Sequence, residues 1–94
     1  MLTLAEINEA MGDLDDWSLE MNALSKIFSF GHFRESLEFV NKVGEIAEKM
    51  NHHPEVTINF EKVRLLVRTK SEDSLTRKDF ELAREIDKLS LRQE

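Results

Sequence analysis

The chain has 94 residues, 40% of them hydrophobic and 34% charged, with a formal net charge of -6 and no cysteine. This balance describes a soluble globular domain near the smallest size that buries a core without staples, and it excludes disulfides and thiol chemistry. No stretch approaches the roughly 20 apolar residues that cross a bilayer, and the acidic balance opposes direct binding to phosphate backbones, so neither a membrane nor a nucleic acid is expected as a direct partner.

Residues 1–7, Met-Leu-Thr-Leu-Ala-Glu-Ile, lack the basic start and long apolar run of a signal peptide, which points to a cytoplasmic location. Thr3 and Glu6 have capping-box spacing, and Leu4, Ile7 and Met11 recur at helical intervals up to Gly12, so a short helix is predicted there. Trp17, Leu19 and Met21 then alternate with polar residues as in a strand with one buried face. A turn at Asn22-Ala23 leads into a more continuously apolar strand, Leu24 to Phe30, and the two predict an antiparallel hairpin.

From about His32 to Asn51 the period becomes helical. Phe33, Leu37, Val40 and Ala47 form one apolar stripe, and Phe39, Val43, Ile46 and Met50 form a second beside it. Together they cover about half the helix circumference, more than one sheet face easily covers. The excess fits either a deep position in the monomer or a helix-on-helix contact between copies about a two-fold axis.

Val56, Ile58 and Phe60, then Val63, Leu65 and Val67, predict a second hairpin turning near Glu61-Lys62. Lys70 to Ser74 reads as a polar loop, after which Thr76 has the side chain to N-cap a last helix carrying Phe80, Ala83 and Ile86 on its apolar side. The order α-β-β-α-β-β-α over residues 1–94 predicts one α+β domain, a single four-stranded antiparallel sheet with helices packed on one face.

The stretch with chemical character is Glu48-Lys-Met-Asn-His-His-Pro54, where the only proline ends the long helix near His52. Histidine is the side chain best suited to acid or base work near neutral pH. Glu48 and His52 are four apart and can face each other across the last helical turn. A cation suited to the helix C-terminus explains either histidine equally well. A metal held by Glu48, His52 and His53 is a further alternative, short of ligands because His32 lies at the far end of the same helix.

Glu48, three intervening residues, His52-His53-Pro54, Phe60 six residues beyond the proline, and Asp79 downstream resemble the pterin-4a-carbinolamine dehydratases, as do the placements of Trp17, Phe28, Phe30, Phe33 and Leu75-Thr76. The resemblance runs from about Leu14 to Leu89. It breaks at Lys70, where the family usually carries a third active-site histidine. It implies dehydration of a 4a-hydroxytetrahydropterin, as in tetrahydrobiopterin recycling, with no metal or organic cofactor. It further implies that His52 and His53 share the acid and base roles and that Lys70 stands at a catalytic position with reduced or altered efficiency. Glu48, Pro54, Thr69, Ser71, Glu72 and Asp79 are implied to bind substrate or orient the histidines, with Glu48 serving His52. The resemblance also implies a homo-oligomer, a dimer or a tetramer of paired dimers, through the central helix. Two alternatives on the same fold are a non-catalytic, coactivator-like binding protein and a pterin-binding role in molybdenum cofactor metabolism.

Overall fold

The computed structural model describes residues 2–72 and 74–91. Its elements follow the expected order: α1 (Leu4–Met11), β1 (Ser18–Glu20), β2 (Ala23–Ser29), α2 (Phe33–Met50), β3 (Glu55–Asn59), β4 (Lys62–Val67) and α3 (Arg77–Leu91). At α1 both halves of the capping box form: the Glu6 N–H donates to Thr3 Oγ1 at 3.1 Å and the Thr3 N–H to Glu6 Oε1 at 2.9 Å. The Glu6 carboxyl is held below its ordinary value, chiefly by the Thr3 backbone hydrogen bond, then by the Thr3 side chain, with Arg77 adding its charge. Its contribution is therefore present at neutral pH and is lost as pH falls through that depressed value.

The four strands make one antiparallel sheet in the order β1-β2-β4-β3. Period-two alternation sends Leu24, Lys26 and Phe28 of β2 and their cross-strand partners Val67, Leu65 and Val63 of β4 to one face. The apolar members of that set are buried with Phe39 and Val43 of α2 and Phe80, Leu82, Ala83 and Ile86 of α3, so both helices cover this face. Ile7, Ala10 and Met11 of α1, with Leu2 just before it, pack against the margin of the same core.

The first strand is shorter than its alternation predicts. Trp17 precedes β1 and is buried, whereas Met21 has left the strand with φ 55° and is 99% exposed, so the turn is Met21-Asn22, one residue earlier than expected. The second hairpin is likewise shifted: it turns at Phe60-Glu61, with Phe60 at φ 55°. A left-handed residue at the first turn position lets a two-residue connection follow the strand twist, and a period-two pattern carries no sign of it.

Trp17 is fixed from across the fold. Its indole N–H and the Lys26 ammonium both donate to Asp87 Oδ1 at 2.9 Å, and Lys26 Nζ also donates to the Asp15 carbonyl at 2.7 Å. The ammonium lies 4.8 Å from the Phe28 ring centroid, within cation–π range. This network ties the C-terminal half of α3 to β2 and leaves the N-terminal end of α3 to meet the C-terminal end of α2.

The broad apolar arc of α2 divides in two. Ser36, Phe39, Val43 and Ala47 form the buried seam, with the Phe39 ring 4.7 Å from Phe28 and 5.1 Å from Phe30. Phe33 and Leu37 lie outside it, 50% and 41% exposed, while Val40, Ile46 and Met50 are partly buried.

A candidate active site where two helices meet

The helix α2 stops at Met50 because Asn51 adopts the left-handed conformation, φ 52° and ψ 43°. The Asn51 N–H donates to the Glu48 carbonyl at 3.3 Å and the His52 N–H to the Ala47 carbonyl at 3.0 Å. This pair of bonds is the Schellman closure, and asparagine is among the few non-glycine residues that accept its backbone geometry. The chain then turns away from the helix axis, and Pro54 leads it into β3.

That turn decides which carboxylate each histidine meets. His52 does not face Glu48. Its Nε2 lies 2.6 Å from Oδ1 of Asp79, and its side chain is largely buried. Glu48 bonds His53 instead, Oε2 to Nε2 at 2.5 Å, out in solvent. The i,i+4 expectation for Glu48 and His52 holds only while the helix continues, and one left-handed residue rotates His52 off that face. The imidazoles are therefore drawn to separate carboxylates. Among the described residues no three His, Cys, Asp or Glu side chains group closely enough to hold a metal ion.

Asp79 is fully buried near the start of α3. Its Oδ2 accepts from the Thr69 hydroxyl and from the Thr76 N–H, both at 2.9 Å, while Oδ1 faces His52. A buried carboxylate needs such donors, since its desolvation is otherwise uncompensated. Thr76 does not cap α3 through its side chain as its position suggests. Its hydroxyl lies 2.8 Å from that of Thr69, and it is the Thr76 backbone that meets Asp79. Thr69 is buried just beyond β4, where it bridges Ser74. Sequence reasoning set Thr69 toward substrate and missed Thr76 as part of this cluster. The spacing of Thr69, Thr76 and Asp79 about one loop and the first turn of a helix was the available signal.

Lys70, Ser71 and Glu72 form an exposed turn next to Thr69, with the Glu72 N–H donating to the Thr69 carbonyl at 3.3 Å. Asp73, in the same predicted loop, lies outside the described residues. Pro54 is partly buried beside the two histidines. A shallow depression next to His53 is lined by Asn41, Gly44, Glu45, Glu48 and Lys49 on the outer side of α2.

Replacing Asn51 with valine is expected to destabilise the fold by about 1–2 kcal/mol, because a β-branched side chain is strained at positive φ. Asn51→Gly is expected to stay close to the parent in denaturant unfolding. Equal stability of the valine and glycine variants would contradict this account of the helix end.

The arrangement is two adjacent imidazoles, one buried and one exposed, each engaged through Nε2 by its own carboxylate, which leaves both Nδ1 atoms for other partners. An imidazole held in this way can act as a general acid or base.

A family model for pterin 4 alpha carbinolamine dehydratase matches residues 1–89. A Sulfolobus acidocaldarius protein named "Putative pterin-4-alpha-carbinolamine dehydratase" is 45% identical over 84 residues, 89% of this chain and 92% of its own length. One of the same name from Sulfurisphaera tokodaii is 43% identical over 88 residues, 94% of this chain and 95% of its own. Among solved structures, a transcriptional coactivator/pterin dehydratase from Brucella melitensis superimposes with a TM-score of 0.89 at 32% identity, covering 94% of this chain and 96% of that one. A pterin dehydratase-like RuBisCO assembly factor of the alpha-carboxysome shares the fold, with a TM-score of 0.65 at 17% identity over 79% of this chain and 86% of its own. With a family match along nearly its whole length and relatives above 40% identity, the chain belongs to the pterin 4 alpha carbinolamine dehydratase family.

Proposed function

We propose that this protein is a cytoplasmic hydro-lyase that removes water from a 4a-hydroxytetrahydropterin to give the quinonoid dihydropterin, as in tetrahydrobiopterin recycling. The observation that carries the reading is the pair of carboxylate-bound imidazoles, His52 on Asp79 and His53 on Glu48. In the reaction the C4a–O bond breaks, the N5–H proton leaves, and a C4a=N5 double bond forms. The hydroxyl departs as water once it has gained a proton. One neutral imidazole accepts the N5 proton and one protonated imidazole supplies the other, so the site is restored after one proton exchange with solvent. His53, the exposed member, is suited to that exchange.

Pro54 and the turn from Thr69 through Lys70, Ser71 and Glu72 are the proposed walls of the pterin site. Lys70 is exposed at the place where a third imidazole is expected. As a cation it can donate a hydrogen bond to the leaving hydroxyl, but a lysine is a poor base at neutral pH, so the rate is set by the two histidines. Titration with 7,8-dihydrobiopterin, followed through the histidine resonances, is expected to perturb His52 and His53 together. A response absent from both, or confined to His32, would contradict the placement.

The proposal includes self-association. Phe33 and Leu37 make an exposed apolar flank on α2, and a second copy of the same helix is the simplest partner that removes it from water. Light scattering at micromolar concentration is expected to give a multiple of the 11.0 kDa chain mass, and Leu37→Glu is expected to lower it. A parent protein found only at 11.0 kDa would contradict this. The same flank favours one second reading, a helix-mediated binding protein, in keeping with the coactivator named for the Brucella protein.

A further inference from the structure

The hydrogen-bond directions around Asp79 can be assigned donor by donor. The Thr76 N–H is a backbone donor and can only donate, which makes Asp79 Oδ2 an acceptor there. Thr69 spends its single hydroxyl proton on the same Oδ2, so the 2.8 Å contact between the two threonine oxygens must carry the proton of Thr76. The chain therefore runs in one direction, from the Thr76 hydroxyl to the Thr69 hydroxyl to Asp79. With Oδ2 doubly occupied, Oδ1 is the atom turned to His52 Nε2 at 2.6 Å. The proton between them belongs on the imidazole, because the Asp79 carboxylate is an acceptor only and Nε2 must supply the hydrogen. A neutral His52 then carries its proton on Nε2 and its lone pair on Nδ1.

We propose that Thr69 and Thr76 are positioning residues of the catalytic site: they clamp Asp79 Oδ2 so that Oδ1 holds His52 as the Nε2–H tautomer and leaves Nδ1 to meet the pterin. This rests on the dehydratase reading for its kinetic consequences, but its structural half is independent of turnover. It also reassigns Thr69, whose buried hydroxyl is engaged inward and so acts through Asp79, leaving direct contact with substrate to the exposed residues that follow it.

The clamp makes an unusual demand on an amide at position 79. In Asp79→Asn the immovable Thr76 N–H still requires an oxygen on its side, which turns the asparagine NH₂ toward His52. Nε2 must then accept, and the imidazole proton is driven to Nδ1. Without the clamp the amide is free to present its oxygen to His52, and the tautomer stays as it was.

Long-range ¹H–¹⁵N spectra of the full-length protein, taken at a pH where the imidazoles are neutral and with His52 assigned by its loss in His52→Gln, read this directly. The parent is expected to show His52 as Nε2–H and Asp79→Asn to show it as Nδ1–H. An Nδ1–H parent, or an Asp79→Asn variant that keeps Nε2–H, overturns the proposal whether or not the protein turns over a pterin. In the dehydratase assay, Thr69→Val is expected to lower kcat about tenfold with KM within about twofold, since a small misplacement acts on the chemical step, and Thr69→Ser is expected to restore it. Full kcat in Thr69→Val overturns the role of the hydroxyl chain. An inactive parent with the expected tautomer inversion would sink the dehydratase reading and leave the clamp standing.

Discussion

Replacing His52 with glutamine is expected to lower kcat for pterin dehydration by about 10²- to 10⁴-fold, the range that a positioned acid or base contributes, while the melting temperature stays near that of the parent. Glutamine is the informative choice because its amide N–H can still donate to Asp79 Oδ1, the contact that His52 makes at 2.6 Å. Alanine would strip a donor from a fully buried carboxylate, at a cost of about 1–3 kcal/mol, and would mix lost stability with lost chemistry. His53 needs no such care, since its contact with Glu48 lies in solvent, where a pair contributes little to stability. His53→Ala is expected to lose activity over the same range with an unchanged unfolding midpoint. Rates within about threefold of the parent in both variants would remove the imidazoles from the mechanism.

Substitution at Lys70 is expected to act in the opposite direction. Lys70→His sets an imidazole in the exposed turn directly after Thr69, whose hydroxyl is bonded to the Asp79 carboxylate that also holds His52. For an ordinary lysine with a reference pKa of about 10.4, the neutral form costs roughly 4 to 5 kcal/mol at pH 7, whereas an imidazole carries both forms near neutrality. A partly aligned third imidazole is expected to raise the rate by roughly tenfold or more. The pH dependence should change too, because an imidazole replaces an amine at position 70. Because Lys70 is exposed, neither outcome is confounded by unfolding. A rate equal to background in both the parent and Lys70→His would mean that the pocket is not built for this pterin, and the binding-protein reading would then lead.

Much of this architecture is legible in the sequence because it rests on periodicity and local capping. Thr3 and Glu6 announce α1, and the alternation of Val63, Leu65 and Val67 gives the central strand β4 its buried face. The seam of Phe39, Val43 and Ala47 gives α2 its own. What the sequence hides are left-handed residues other than glycine. Met21 and Phe60 each move a turn by one residue, and Asn51 separates His52 from Glu48 by ending the helix two residues too early for the i,i+4 pair. The candidate stretch itself, Glu48 to Pro54, was visible from residue chemistry and from the family pattern. Its wiring was not, because the partner of His52 is 27 residues away and is selected by the packing of α3 against α2. Thr76 illustrates the same limit: a residue that looks sufficient as a helix cap spends its hydroxyl on another threonine.

The central claim is that paired imidazoles, each held by its own carboxylate, dehydrate a 4a-hydroxytetrahydropterin. The most direct test generates that substrate in situ and follows formation of the quinonoid dihydropterin with and without the purified protein, using His53→Ala as the control. The account predicts a rate above the spontaneous one that rises in proportion to protein concentration and falls to near background in His53→Ala. A parent protein that leaves the spontaneous rate unchanged, or a His53→Ala variant as active as the parent, would contradict it.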